Sequence, residues 1–246
     1  MNALAVLATH DLEYAEPDLV VVAVLDEGVG GGLVMDGRLR RGGKGMAMEI
    51  GHLTVGYPAG TASHSTDDLS THRAHPSLQG FDPCCPCGSL GHLDAFATPA
   101  RIRAALGVST LTEAACSPAT TPAGTHCREY EVFYAAGAML GRGLAHIVNI
   151  VNPSRLIIWL PQDLVGVPAN LAGAAYLEAV TAEIKGAYST GADNTVLTLK
   201  TLPAENTAEL GATAAARCVL DCFIDHARGL DGCHTPQRRI SRERAS

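Results

Sequence analysis

The sequence predicts an α/β fold. Two continuous apolar runs, at residues 19–25 and 156–160, have the composition of buried strands, and an alternating segment at 195–202 has the period of a third. Helical patterns lie between and after them, so strand and helix alternate along the chain, as in a domain that packs helices on a sheet.

The elements follow in order. Residues 2–10 read as a helix, with no strand ahead of it; that abrupt opening leads us to expect a missing upstream portion. The Val-rich run 19–25 meets a turn, Asp26-Glu27-Gly28-Val29-Gly30-Gly31-Gly32. A second strand follows at 33–35, then the turn Asp36-Gly37, which together make a hairpin. Residues 56–83 are rich in Ser, Thr, Gly, Pro and His and read as a long mobile loop, with 57–83 as its body. Thr98-Pro99 opens a helix, Pro suiting the first turn, and Glu113 and Ala114 fall in a second. Residues 129–151 form a long amphipathic helix stopped by Asn152-Pro153. A helix at 171–187 has Asn170 placed to cap it, and a very apolar helix is expected at 207–227.

Composition bounds the function. The chain has 246 residues, 47% apolar and 17% charged, enough for a real core. Its net charge of −7 argues against broad nucleic-acid binding, which needs clustered Lys and Arg. The only basic run, Arg238, Arg239, Arg242 and Arg244, lies in a tail (233–246) that reads as frayed. No apolar stretch reaches the roughly 20 residues of a membrane helix, and residues 1–13 lack signal-peptide features, so a cytoplasmic protein without membrane contact is expected. Cys116, Cys127, Cys218 and Cys222 read as buried thiols.

The chemistry gathers between Glu49 and Asp94. Cys85, Cys87 and His92 are three candidate metal ligands within eight residues, in a loop whose Pro and Gly residues let it wrap an ion. Thiolate and imidazole suit Zn²⁺; His52 is the natural fourth ligand, and Cys84 is a spare thiol. Four protein ligands would close the shell, which makes the site structural. His64, His72 and His75 read as solvated loop residues, His146 as a packed or partner-facing helix residue, and Arg38 and Arg40 as a solvated hairpin face.

In order, Glu49-Ile50-Gly51-His52 and Cys85-Pro86-Cys87-Gly88-Ser89-Leu90-Gly91-His92-Leu93-Asp94 resemble the ROK family of repressors, open reading frames and sugar kinases. The hairpin from Gly28 to Leu39 and the Asn149–Pro153 stretch fit the same family, and Asn2-Ala3-Leu4-Ala5 looks like the helix after its catalytic aspartate. The resemblance implies an actin-like, ribonuclease-H-like fold of two lobes, of which residues 1–232 look like the second, with a zinc loop at 84–94. It implies that Glu49, His52 and Asp94 contact sugar hydroxyls and that His52, Cys85, Cys87 and His92 hold zinc. His92 stands where the family has a third cysteine, and Asp94 is one methylene shorter than the usual glutamate.

Phosphoryl transfer needs a phosphate-cradling backbone and a metal-binding carboxylate. The family's first phosphate loop and catalytic aspartate precede the point where this chain begins. Its second phosphate loop would involve Gly28, Gly30 and Gly31, but Asp26 and Glu27 replace the usual Gly-Thr lead-in and repel phosphate. Trp159-Leu160-Pro161 stands where a Gly-Gly turn approaches adenine. ATP is therefore not expected to bind and no residue is assigned a catalytic role. The expected function is that of a truncated ROK-type transcriptional regulator: a lobe sensing a sugar or amino sugar, reaching DNA only through a missing N-terminal domain. A glucokinase-like sugar kinase lacking its N-terminal lobe is the alternative. A missing lobe would expose the apolar face of 207–227, so self-association into a homo-oligomer is also expected.

Overall fold

A computed structural model describes residues 16–56, 78, 80–114, 127–165, 171–187, 195–202 and, further on, 212, 213 and 216. Five strands form one mixed sheet: β1 (Leu19–Val24), β2 (Val29–Met35), β3 (Arg38–Leu39), β4 (Arg155–Pro161) and β5 (Val196–Leu202). Their order is β3-β2-β1-β4-β5. β2 runs antiparallel to β1 and to β3, while β4 lies parallel to both β1 and β5. This is a mixed α/β sheet of the kind the resemblance implied. The helices are α1 (Pro99–Leu106), α2 (Arg128–Val151), the short α3 (Gln162–Val165) and α4 (Leu171–Ala187).

β1 is buried along its whole length, which explains its unbroken Val-rich sequence. Successive side chains point to opposite faces. Val20, Val22 and Val24 join Leu156 and Ile158 of β4 in the main core, with Phe133, Met139 and Leu144 of α2 and Tyr176 and Val180 of α4. Leu19, Val21 and Ile157 form a second cluster with Val34 on the other face. Tyr176 is fully buried, and its hydroxyl donates to the carbonyl of Ala97 at 2.9 Å, tying α4 to the approach of α1.

The helix ends follow local chemistry. Thr98 caps α1, its hydroxyl accepting from Arg101 N–H, and Pro99 takes the first position. α2 ends at Asn152 in a left-handed conformation, its N–H donating to the Val148 carbonyl, with Pro153 beyond.

Three expectations are corrected. Residues 29–32, expected to be turn, are the first half of β2: Gly30, Gly31 and Gly32 pair with Ala23, Val22 and Val21. The apolar run of β1 supplies a partner strong enough to override the weak strand preference of glycine. Glu113 and Ala114 form a turn rather than a helix; the Glu113 carboxylate accepts from Ser109 N–H and the Thr110 hydroxyl accepts from Glu113 N–H. Such local bonds offer the backbone an alternative to the helix. Trp159 and Leu160 lie in β4, as the strand expected at 156–160 implied, and the strand runs on to Pro161, held by its parallel pairing with β5. Cys127, expected as a buried thiol, is half-buried and disulfide-bonded, and its sulfur caps α2 by accepting from Tyr130 N–H.

The expected helix at 2–10, the loop residues 57–77, the cap Asn170, Cys116, Cys218 and Cys222 lie outside the described residues, as does nearly all of 207–227. Among the described residues no helix is long and apolar enough to cross a membrane. His146 is exposed on α2.

Candidate functional site

The candidate site lies past the C-terminal end of β1, where ligands commonly sit in open α/β sheets. Two segments build it. The first descends from Met48 through Glu49 into a 3₁₀ turn, Ile50–His52, closed by His52 N–H to the Glu49 carbonyl and Leu53 N–H to that of Ile50. The turn buries Ile50 and Gly51 and leaves Glu49 and His52 exposed. The second is the loop at 83–92, held in shape by Cys85 N–H to Ser89, Gly88 N–H to Cys85 and Gly91 N–H to Pro83. The two are stitched together by Val55 N–H to the Gly91 carbonyl and Leu93 N–H to that of Leu53, both at 2.9 Å.

That stitching brings all four expected metal ligands into one cluster. His52, Cys85, Cys87 and His92 place ligand atoms within 4.8 Å of one another. The Nδ1 atoms of His52 and His92 are 3.3 Å apart, Cys87 Sγ is 3.3 Å from His92 Nδ1, and Cys85 Sγ is 4.0 Å from His52 Nδ1. A tetrahedral zinc ion with ordinary bond lengths sets its nitrogen ligands about 3.3–3.4 Å apart and sulfur about 3.5 Å from nitrogen. The cluster fits such an ion, with Cys85 slightly outside the ideal edge. Cys84 stays out of it: its sulfur turns to the Cys85 carbonyl and its own carbonyl accepts from Arg101.

The two cluster thiols are unlike. The Ser89 backbone N–H, with help from its side chain, draws the Cys87 thiol down to about 6, so an exposed thiolate is available at neutral pH. Burial pushes the Cys85 thiol up. Were a cation held here, Cys87 would offer it a thiolate and Cys85 would have to give up its proton to bind.

Asp94 sits in the 3₁₀ turn Leu93–Ala95, between the cluster and the hairpin. Its Oδ1 accepts the N–H of Val29 at 2.7 Å. Burial raises its carboxyl above the ordinary range, opposed by that bond and by the nearby His52, His92 and Arg101. Gly51 lies directly under this carboxylate; a Cβ there would overlap it and force the Asp94 side chain to move. Asp94, expected to meet a ligand, has a backbone partner as well.

The glycine-rich hairpin is similarly occupied. Val29 and Gly31 turn their N–H groups away from β1: the first goes to Asp94 and the second to the Met48 carbonyl at 3.0 Å. Gly30 is paired with Ala23 inside the sheet, and Gly28 leads into it beside Asp94. Asp26 forms a two-pronged ion pair with Arg103 at 2.8 and 2.9 Å, and its carbonyl accepts Ala100 N–H at the start of α1. The guanidinium holds the Asp26 carboxyl below its usual range. The repulsive pair Asp26 and Glu27 is therefore half neutralised. Trp159 is half-buried with Lys200 Nζ 5.4 Å from its ring centre.

Sequence reasoning missed Arg103 and Met48. Arg103 meets Asp26 across 77 residues, with no local signal. Met48 has a left-handed backbone, a state ordinarily signalled by glycine.

The chain resembles proteins of two kinds. It is 25% identical over 177 residues to a xylose repressor from Caldicellulosiruptor bescii, covering 65% of this chain and 36% of that protein. It is 29% identical over 155 residues to a glucokinase from Halalkalibacterium halodurans, covering 56% of this chain and 40% of that one. The chain thus spans well under half the length of either. The solved ROK hexokinase from Thermus thermophilus shares its fold, with a TM-score of 0.59 at 24% identity over 87% of this chain and 63% of that chain. The model of the ROK family matches residues 1–216, which take in the whole of the described sheet, its helices and the candidate site, and the chain belongs to the ROK family.

Proposed function

We propose that this chain is the sugar-sensing portion of a ROK-type transcriptional regulator, with a pocket on Glu49, His52 and Asp94 braced by a structural zinc ion, and that it transfers no phosphate. The observation that carries this reading is the occupied hairpin. A phosphate needs free outward N–H groups, and those of Val29 and Gly31 are bonded to Asp94 and to the Met48 carbonyl. Trp159 on β4 supports it, a bulky residue at the position where the family resemblance leads us to expect a Gly-Gly turn.

Zinc would be held by His52, Cys85, Cys87 and His92 and would fix these side chains without activating water, since four protein ligands close the shell. His52 directs Nδ1 to the cluster and so keeps Nε2 for a ligand hydroxyl. Glu49, exposed on the same turn, accepts hydrogen bonds from adjacent hydroxyls. The names of the relatives, a xylose repressor and a glucokinase, support a sugar as ligand class. DNA contact would fall to a separate domain of the whole regulator.

A glucokinase-like kinase is the second reading, and Arg103 favours it by offsetting the charge of Asp26 beside the hairpin. One experiment separates the two. Zinc-loaded protein is titrated calorimetrically with glucose, xylose, N-acetylglucosamine and N-acetylmannosamine, and each mixture is then incubated with Mg²⁺ and ATP. Saturable binding lost in Glu49→Gln, without sugar phosphate, is the expected result. Sugar phosphate formed from ATP would establish the kinase, and absence of heat with every sugar would end the sensing reading.

A further inference from the structure

Among the described residues, three non-glycine residues have a positive φ: Asp36 at 53°, Asn152 at 49° and Met48 at 68°. Asp and Asn tolerate the left-handed region, and these two sit at a hairpin turn and a helix end. Met48 has no such excuse: an unbranched apolar residue holds this conformation only where its surroundings impose it.

The surroundings are on β2. The Met48 carbonyl accepts the N–H of Gly31 at 3.0 Å. Its side chain lies across the same residue: a Cβ on Gly31 would stand 3.1 Å from Met48 Cβ, 3.2 Å from Cε and 3.2 Å from the carbonyl oxygen. Met48 is thus gripped through its backbone and its side chain together. Relaxing its φ would break the hydrogen bond and lift the thioether off the strand. The next residue is Glu49, and the 3₁₀ turn that follows delivers His52 to the cluster.

We propose that Met48 is a positioning residue: clamped onto Gly31 in a left-handed conformation, it fixes the direction in which Glu49 and His52 leave the glycine-rich strand. Its consequence for ligand contact rests on the sugar-and-zinc reading above; the clamp itself does not. The strand thus aims the ligand-bearing turn through a contact in which each partner limits the other. Gly31 must stay glycine because Met48 covers it, and Met48 stays left-handed because Gly31 leaves room for it.

The test uses the full chain and four forms: unchanged, Gly31→Ala, Met48→Ala, and the double Gly31→Ala/Met48→Gly. Amide hydrogen exchange is followed peptide by peptide, and zinc-loaded samples are challenged with a chromogenic chelator. Gly31→Ala and Met48→Ala are expected to speed exchange at residues 49–53 by about tenfold, the change produced by releasing a strained contact of ordinary size, while β1 and β4 stay protected. Zinc release should accelerate in parallel. The double variant should recover part of the loss relative to Gly31→Ala, because it removes the side-chain contacts and leaves only the one to the carbonyl. Unchanged exchange at 49–53, a uniform rise across the sheet, or no recovery in the double variant would each overturn the proposal. If the unchanged protein holds no zinc, the metal reading fails by itself and hydrogen exchange still decides the clamp.

Discussion

Asp94 Oδ1 accepts the backbone N–H of Val29 at 2.7 Å, so the loop carrying the cysteines and the first residue of β2 are joined by a single carboxylate. Val29 is buried, and its N–H has little access to water. Asp94→Ala therefore leaves an orphaned buried donor and is expected to destabilise the protein by about 1–3 kcal/mol. Asp94→Asn, whose amide oxygen still accepts, should recover most of that. Urea midpoints of the two variants provide the check, at unchanged slope.

Purified protein should contain about one zinc per chain by elemental analysis. His52→Ala and Cys87→Ala are each expected to lose it, since each removes one of four ligands. Chelation of the unchanged protein should lower its melting temperature. Full zinc retention by both variants would mean that the ligands are others.

Cys87 should react as a thiolate in metal-free protein. Its acidity, drawn to about 6 chiefly by the Ser89 N–H, is depressed relative to an unfolded thiol. The sign is that of a depressed group: its stabilising contribution is complete above the unfolded thiol value, near 8.5, and is lost as pH falls through about 6. Alkylation by iodoacetamide, read by peptide mass, is expected to rise with a midpoint near that pH at Cys87. Cys85, pushed up by burial, should lag well behind it. Added zinc should protect both.

The Asp26–Arg103 pair fixes the β1–β2 turn to α1, yet Asp26 is 60% exposed. Asp26→Asn is accordingly expected to cost only about 0.2–1 kcal/mol, despite the two-pronged geometry. Because the guanidinium lowers the Asp26 carboxyl, its contribution is present above the ordinary aspartate range and disappears as pH falls through the depressed value. Thermal melts between neutral and strongly acid pH should show the Asn variant converging with the unchanged protein at the acid end.

What the sequence made legible depended on how far the information had to travel. β1, β4 and β5 were readable from apolar runs and alternation, and the stop of α2 from Asn152-Pro153, because each signal lies inside its own element. The grouping of four metal-type side chains was readable because Cys85, Cys87 and His92 are close in sequence and His52 came with a short motif. Residues 29–32 looked like a turn since glycine carries no strand signal of its own; the pairing with β1 decided them. Asp94 with Val29 and Asp26 with Arg103 span 65 and 77 residues, and no local pattern announces such partners. Glu113 was misplaced for the opposite reason: side-chain bonds within four residues outweighed a helical composition.

His52 reaches the cluster from the far side of a 33-residue separation from Cys85. An ion held there would act as a reversible cross-link that closes the intervening chain into a ring. The entropy of such closure grows only logarithmically, by roughly 0.6 kcal/mol for each doubling of length. Lengthening the chain between the two residues would therefore add little to the cost of closing that ring, whereas Val55, Leu78 and Phe81 within it are tied to the core.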